Sequence, residues 1–222
     1  MSAPRFFITG TDTDVGKTRI TAGAAKALRQ NGWDVTIVKA VQTGLHREEI
    51  GDAALAGALA ECAFAELVRF RAPADPWSAA NYARKRPPQA EDLAAKIDAI
   101  PGALVVEGSG GVAVPLNEHE MIGELAPRCV LPVIVVVGLR LGCINHTILT
   151  LEYLSARGGG VCGLILVDRF GDVRSDYAQE VESRLEAYAS IIARLPYEPD
   201  VVVSVDHTAG LLAALPAFKG PA

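Results

Sequence analysis

The feature that most constrains the fold is a series of short apolar runs in which polar residues do not alternate with apolar ones. Strands that bury both faces in a parallel sheet have this pattern. The runs predict strands at 5–10, 35–42, 103–108, 131–138, 161–167 and 189–196. The stretches between the runs are typical of helices, at 18–31, 52–62, 89–100, 143–156 and 206–215.

This regular succession of strands and helices predicts a doubly wound α/β fold, in which a mainly parallel sheet is flanked by helices. The chain has 222 residues, which suffices for one well-buried domain of this class. We therefore expect a single domain over residues 1–222. The segment 63–88 has the weakest pattern, and we interpret it as an irregular excursion of this domain.

Composition excludes several classes of protein. The formal net charge is −5 and no long basic run occurs, which argues against nucleic acid as a partner. The longest apolar run, 130–138, is too short to cross a bilayer, and no secretory signal is visible. The four cysteines lack C-x-x-C spacing and the four histidines form no ligand pair. We expect reduced thiols, no zinc site, no membrane contact and a cytoplasmic protein.

The stretch "GTDTDVGKT" at 10–18 lies between the first predicted strand and the first predicted helix. Its ending, Gly16-Lys17-Thr18, matches a P-loop, whose backbone N–H groups wrap phosphates while the lysine neutralises them. The front half is irregular, because Thr11 stands where the pattern has its first glycine and Gly10 comes one residue early. The motif predicts a P-loop NTPase-like nucleotide site, although a phosphate loop alone does not define a reaction.

Three further motifs follow later predicted strands: "KAVQTG" at 39–44, "EGSGGVAVP" at 107–115 and "GLRLGCINHT" at 138–147. Together with the P-loop stretch, and in this order, they strongly resemble the dethiobiotin synthetase family. The resemblance covers roughly residues 5–168, and the stretches "EGSGG" and "LGCINHT" are its most specific parts.

The resemblance implies an ATP-dependent ligase of biotin biosynthesis that closes a cyclic urea. The substrate of the family is 7,8-diaminononanoate. One amine captures CO2, supplied through bicarbonate, as a carbamate, which attacks the γ-phosphate of ATP to give a carbamic–phosphoric mixed anhydride. The second amine then displaces phosphate, leaving dethiobiotin, ADP and phosphate. Magnesium is required, and the family forms a homodimer with substrate at the interface.

The resemblance also assigns roles in catalysis and nucleotide binding. Lys39, Lys17 and Thr13 are the implied catalytic residues, with Lys39 holding the carbamate and polarising the transferred phosphoryl group. Without the motif, Lys39 would read as a solvated lysine at a strand end. The implied nucleotide-binding residues are Asp12, Thr13, Asp14, Val15, Gly16, Lys17, Thr18, Glu107, Gly110 and Gly111.

Three oxygen-bearing side chains are the implied magnesium ligands: Thr18, Asp52 and Glu107. Magnesium prefers oxygen ligands and bridges phosphate oxygens. Asp52 also stands where an ordinary helix N-cap would stand, and the two roles do not exclude each other.

The implied substrate contacts fall into two groups. Thr13, Lys39 and Thr43 match family positions that bind the diamine or its carbamate. The carboxylate tail is bound from the neighbouring subunit by Gly142, Cys143, Ile144 and Asn145 at a helix start, where free N–H groups suit an anion. A purely structural interpretation makes Cys143 and Ile144 core residues of that helix. No nearby base would activate Cys143 as a nucleophile.

The resemblance fails at two positions. Family members commonly carry an asparagine after the fifth predicted strand that reads the adenine edge, and Val167 stands there in this chain, followed by Asp168. Valine cannot make the paired hydrogen bonds of an amide. We hypothesise that the chain accepts other nucleoside triphosphates with a modest penalty. Ala40 replaces a common proline in "KAVQTG", which alters local rigidity and not chemistry.

Three other classes of protein fit parts of the pattern. A partition-type P-loop switch ATPase shares the fold, but those proteins carry an extra lysine early in the P-loop, where this chain has 11–14 as Thr-Asp-Thr-Asp. An amidotransferase-type ligase of cobyrinate-like chemistry would need an added glutaminase domain. A nucleotide-binding pseudoenzyme conflicts with the intact Lys17, Lys39 and Glu107.

Overall fold

The computed structural model describes residues 2–46 and 48–220, so Met1, Arg47, Pro221 and Ala222 of the predicted 1–222 domain lie outside the described residues. Its sheet has seven strands in the order β3-β2-β4-β1-β5-β6-β7, all parallel. The strands are β1 (Arg5–Gly10), β2 (Val35–Lys39), β3 (Ala63–Glu66), β4 (Ala103–Gly111), β5 (Val133–Gly138), β6 (Val161–Val167) and β7 (Ile191–Leu195).

Helices cover both faces of this sheet, which confirms the predicted doubly wound fold. The helices are α1 (Lys17–Gln30), α2 (Asp52–Ala60), α3 (Pro76–Tyr82), α4 (Ala90–Asp98), α5 (Leu125–Arg128), α6 (Cys143–Ala156), α7 (Ser175–Leu185) and α8 (Val201–Ala213). Two apolar cores result, because successive strand residues point to opposite faces. Phe7 belongs to the core that includes Leu93 of α4, whereas Ile8 belongs to the core that includes Leu28 of α1.

The structure corrects the interpretation of 63–88 as irregular, since β3 and α3 lie within it. β3 is short and lies at the sheet edge, and Phe64 keeps 52% of its surface exposed. Its four residues are too few to give the long apolar run that is typical of a strand buried on both faces.

Two helices near the C-terminus also differ from the prediction. No helix was predicted at α7, although its buried residues Ala178, Val181 and Leu185 have helical spacing, because charged residues surround them. α8 begins at Val201 and not at 206. Asp200 caps it by accepting the N–H groups of Val202 (2.8 Å) and Val203 (3.2 Å), which lets a β-branched run begin a helix.

The predicted site residues meet at the carboxyl edge of the sheet. β1 is the central strand, and the P-loop follows its end at Gly10. Lys39 at the end of β2 is in register with Glu107 of β4. Glu107 is also in register with Ile8 of β1. The fold thus places the lysine and the glutamate next to the nucleotide loop, as ligand sites of open α/β sheets are placed.

Candidate active site

The loop between β1 and α1 has the backbone of a phosphate-binding loop. Gly16 caps α1 in the left-handed region, with φ 102°, where glycine carries no steric penalty. Asp14 is also left-handed, with φ 57°. Val15 is buried and packs so closely on Gly10 that a Cβ at Gly10 would lie 2.6 Å from its side chain. The early glycine of this loop is therefore required by packing.

Lys17 points back into its own loop. Its ammonium donates a hydrogen bond to the carbonyl of Asp12 at 2.7 Å, and the residue is 7% exposed. Burial lowers the pKa of Lys17 to about 8; the Glu107 carboxylate opposes this shift and the Lys39 ammonium adds to it. Lys17 therefore lies within electrostatic range of both Glu107 and Lys39.

Lys39 is the centre of a buried charge network. Its ammonium lies 2.6 Å from Glu107 Oε1 and 2.7 Å from Asp52 Oδ2, and it donates to the Gly108 carbonyl at 3.1 Å. Burial alone would lower the pKa of Lys39, but the Glu107 and Asp52 carboxylates outweigh burial and raise it. Lys39 is therefore a fixed cation, which excludes the solvated-lysine interpretation.

The predicted magnesium ligands have an oxygen-only donor set. Thr18 Oγ1 donates to Glu107 Oε1 at 3.2 Å, and the second oxygen, Oε2, is buried without a hydrogen-bond partner among the described residues. A buried acceptor without a partner is costly unless a ligand satisfies it. No group of three or more His, Cys, Asp or Glu in the described ranges could hold a metal. The oxygen donors of Thr18, Asp52 and Glu107 nevertheless suit magnesium, because this ion keeps waters and phosphate oxygens as its further ligands.

The remaining loop residues of the prediction lie around the same edge. Gly110 is left-handed at φ 61°, and a Cβ there would lie 3.6 Å from Thr13 Oγ1. Gly111 pairs in register with Gly10. Thr13 is exposed and Thr43 half-buried, so both hydroxyl groups are accessible beside the P-loop and the end of β2.

Sequence reasoning missed Arg140. Its guanidinium forms an ion pair with the Asp12 carboxylate, whose other oxygen accepts the Thr13 N–H at 2.7 Å. Arg140 lies in "GLRLGCINHT", so the motif contained it without revealing its partner. The ion pair connects the P-loop to the segment before α6.

The first turn of α6 contains the four predicted tail-binding residues. Cys143 is buried, and its N–H already donates to the Arg140 carbonyl at 3.0 Å. Ile144 is half-buried and Asn145 is exposed. Gly142 is left-handed at φ 92° and starts the helix. The core interpretation therefore holds for the Cys143 side chain, while Asn145 faces outward.

A different environment borders the P-loop at the end of β6. Val167 is 6% exposed, and its side chain lies 3.5 Å from the position that a Cβ on Gly16 would take. Arg169 donates to the Asp14 carbonyl at 3.2 Å. Phe170 is 67% exposed. Asp168 accepts the N–H groups of Phe170 (3.2 Å) and Gly171 (2.8 Å), so its carboxylate shapes this turn.

Fold and site together define a P-loop α/β nucleotide-binding protein. The model of a family described as an AAA domain matches residues 4–204. The cell division ATPase MinD of Pyrococcus furiosus has a similar fold, with a TM-score of 0.59 at 16% identity, over 95% of this chain and 97% of that chain. Among the described residues, no helix has the length and apolar character needed to cross a membrane.

The sequence relatives are more specific. The ATP-dependent dethiobiotin synthetase BioD of Anaeromyxobacter sp. (strain K) is 36% identical over 216 residues, which cover 94% of this chain and 96% of that protein. The enzyme of the same name from Rhodopseudomonas palustris (strain BisB18) is 38% identical over 166 residues, 74% of this chain and 76% of that protein. The chain therefore belongs to the ATP-dependent dethiobiotin synthetase family, and the predicted family of enzymes is confirmed.

Proposed function

We propose that this enzyme carboxylates 7,8-diaminononanoate with CO2 and closes the ureido ring at the expense of ATP, giving dethiobiotin, ADP and phosphate. The observation that carries the proposal is the buried cluster in which Lys39 bridges Asp52 and Glu107 beside Lys17. A carbamate and a triphosphate are both anions, and fixed cations in a water-poor site lower the barrier to their reaction.

The first step forms a carbamate on one amine of the substrate. The amine nitrogen bonds to the carbon of CO2 and loses a proton to water. Lys39 is buried and fixed by its carboxylate partners, so its ammonium is oriented before the anion arrives. We assign it the role of holding the carbamate beside the γ-phosphate, with the accessible Thr13 and Thr43 hydroxyl groups as further donors.

The second and third steps break two bonds. A carbamate oxygen attacks the γ-phosphorus and ADP leaves, which produces the mixed anhydride. The second amine then attacks the carbonyl carbon, the bond from that carbon to the bridging oxygen breaks, and phosphate leaves with that oxygen and takes up the proton that the amine nitrogen loses. Lys17, at the start of α1, neutralises the charge that develops on the phosphate oxygens.

Magnesium fits the oxygen atoms of Thr18, Asp52 and Glu107, as the buried Glu107 Oε2 without a partner indicates. When bound, it would neutralise phosphate charge. Lys39 already compensates both carboxylates, so the chain keeps its acidic ligands in place without the metal. The backbone of 12–18 and the Gly110–Gly111 turn would hold the phosphates.

The proposal includes a homodimer whose neighbouring subunit binds the carboxylate tail at Gly142, Cys143, Ile144 and Asn145. Apolar residues beside this helix start support it, because Leu141 is 92% and Leu149 is 60% exposed. Exposed apolar patches mark protein contacts. The cysteines are all free thiols, which agrees with the proposed cytoplasmic location.

A switch ATPase is the alternative function, and its support is limited to the fold. MinD shares 16% of its residues with this chain, whereas relatives that are 36% and 38% identical are named dethiobiotin synthetases. The loop 11–14 also lacks the early lysine of the switch proteins.

Product formation tests the proposal. The enzyme is incubated with 7,8-diaminononanoate, ATP, magnesium and ¹³C-labelled bicarbonate, and the organic product is analysed by mass spectrometry. We expect a cyclic urea that contains one labelled carbon and forms in equal amount with ADP. ADP release that does not depend on the diamine, with no cyclic urea, would contradict the proposal and favour the switch ATPase.

A further inference from the structure

Gln42 is a buried side chain to which the motif assigns no chemistry. It is 5% exposed, and its Oε1 accepts the backbone N–H of Asp52 at 3.0 Å. Its Nε2 donates to the carbonyl of Thr43 at 3.1 Å. The cap residue of α2, Gly51, has no side chain to do this, so Gln42 caps the helix from ten residues away. The amide therefore contacts the backbone of two predicted site residues.

The backbone of Gln42 is itself fixed by the segment after β3. Its N–H donates to the Val68 carbonyl and its carbonyl accepts the Phe70 N–H, both at 2.8 Å. The side-chain amide of Gln42 is therefore carried by a backbone that these two hydrogen bonds hold in place. An acceptor on a rigid strand extension fixes the direction in which α2 begins, and with it the direction of the Asp52 side chain.

A second set of contacts reaches the turn that leads into the same helix. Glu66 forms an ion pair with Arg69 at 2.6 Å, and Arg69 donates to the Glu49 carbonyl at 3.1 Å. Gly51 lies directly against this pair, since a Cβ at Gly51 would overlap Glu66 Oε1 and lie 2.7 Å from Arg69 Nη2. The turn before Asp52 is therefore held by contacts with both Gln42 and the Glu66–Arg69 pair.

We infer that Gln42, together with the Glu66–Arg69 pair, positions Asp52 and thereby sets the affinity of the nucleotide site for magnesium. This inference rests on the proposed magnesium role of Asp52. Residues that orient a metal ligand typically change metal affinity about 10–100-fold when they are replaced. Gln42 does not touch the reacting atoms and acts through Asp52 alone.

The test measures metal-dependent nucleotide binding, which does not require ring closure. Gln42→Met keeps the length and volume of the side chain but removes both hydrogen bonds. Magnesium is titrated at a fixed concentration of the β,γ-imido analogue of ATP, and the melting temperature is recorded. We expect the half-maximal magnesium concentration to rise about tenfold or more, with metal-free binding of the analogue in EDTA unchanged.

The matched control is Asn117→Leu. Asn117 is another buried amide, 6% exposed, and donates to the Pro88 carbonyl and Glu120 at 2.8 Å. Its replacement removes these bonds and those that its Oδ1 accepts from the N–H groups of His119 and Glu120, more than Gln42→Met removes, and should leave the magnesium requirement unchanged. A loss of magnesium response in both variants would show a general effect of destabilisation and overturn the inference.

Gly51→Ala is a second variant that does not alter Gln42. The backbone at Gly51 is extended, with φ −79° and ψ 168°, so alanine is allowed there and the penalty comes from its contacts with the Glu66–Arg69 pair. We expect the same direction of change in the magnesium requirement. An unchanged requirement in Gly51→Ala, or in a folded Gln42→Met, would overturn the inference, as would a wild type that binds the analogue without any magnesium effect. A wild type that binds magnesium normally but forms no cyclic urea would contradict the proposed function alone.

Discussion

The two flanks of the P-loop differ in how they are built. On the side of β2 and β4, Lys39 and Glu107 are 3% and 1% exposed, and Lys39 forms ion pairs with both Glu107 and Asp52. On the side of β6, Phe170 is 67% exposed and Val167 presents only an apolar side chain to the loop. The first flank is a preorganised charge cluster, and the second is an open surface.

This contrast separates two tasks. Charge stabilisation at a phosphoryl group requires fixed cations in a site from which water is excluded. A nucleobase can be held without fixed charges, because contacts with the phosphates supply much of the binding free energy of the nucleotide. We therefore expect substitutions on the β2/β4 flank to affect the reaction strongly, and substitutions on the β6 flank to affect the choice of nucleotide weakly.

Replacement of Lys39 by alanine should give the largest effect. We expect cyclic-urea formation to fall by about 10³-fold or more, because the cation that faces carbamate and phosphate is lost, while nucleotide still binds through Lys17. Product is quantified by mass spectrometry and nucleotide binding by calorimetry. Lys26→Ala is the control, since Lys26 pairs with Asp206 outside the site. Near-normal turnover in Lys39→Ala would refute the assigned role.

Glu107→Gln should have the next largest effect. The substitution keeps the shape of the side chain and removes the charge that Lys39 and Thr18 contact at 2.6 Å and 3.2 Å. We expect the half-maximal magnesium concentration for turnover to rise about 10–100-fold. Glu124→Gln, a carboxylate outside the site that pairs with Arg128, should not change it. Equal magnesium requirements in the two variants would remove Glu107 from the ligand set.

The pH dependence of nucleotide binding should reveal Lys17. The pKa of Lys17 is about 8 in the free protein, and a bound triphosphate would raise it by stabilising the ammonium. Binding should therefore take up protons above pH 8, and affinity should fall by up to about tenfold per pH unit in that range. Calorimetry in buffers of different ionisation enthalpy measures the uptake. Lys17→Arg should show none, and the absence of uptake in the wild type at pH 8.5 would contradict this pKa.

Base selectivity should show the smallest effect. We expect kcat/KM for GTP and CTP to fall below that for ATP by less than about 100-fold, because apolar contacts discriminate weakly. Val167→Asn restores the amide that family members commonly carry and should increase the preference for ATP. Strict use of ATP by the wild type at equal nucleotide concentrations would contradict this hypothesis, and with it the contrast between the two flanks.

The same contrast explains what the sequence predicts. Lys39 and Glu107 each come directly after the apolar residues of β2 and β4, and parallel strands bring their carboxyl ends together, so their meeting could be expected. The hydrogen bond from the Asp52 N–H to Gln42 could not be expected from the sequence, because it depends on how the turn before Asp52 folds back. β3 was missed because it is an edge strand of only four residues, too short to give an apolar run, and α7 because charges surround its apolar positions. Local patterns predict buried elements well, and they miss edges and contacts between loops.

The fate of the two oxygen atoms of CO2 shows whether a carbamate oxygen attacks the γ-phosphate beside Lys17 and Lys39. The enzyme is mixed rapidly with diamine, ATP, magnesium and C¹⁸O₂ for a single turnover, and both products are analysed by mass spectrometry. We expect one labelled oxygen in phosphate and one in the ureido carbonyl. A labelled cyclic urea accompanied by unlabelled phosphate would contradict attack by a carbamate oxygen.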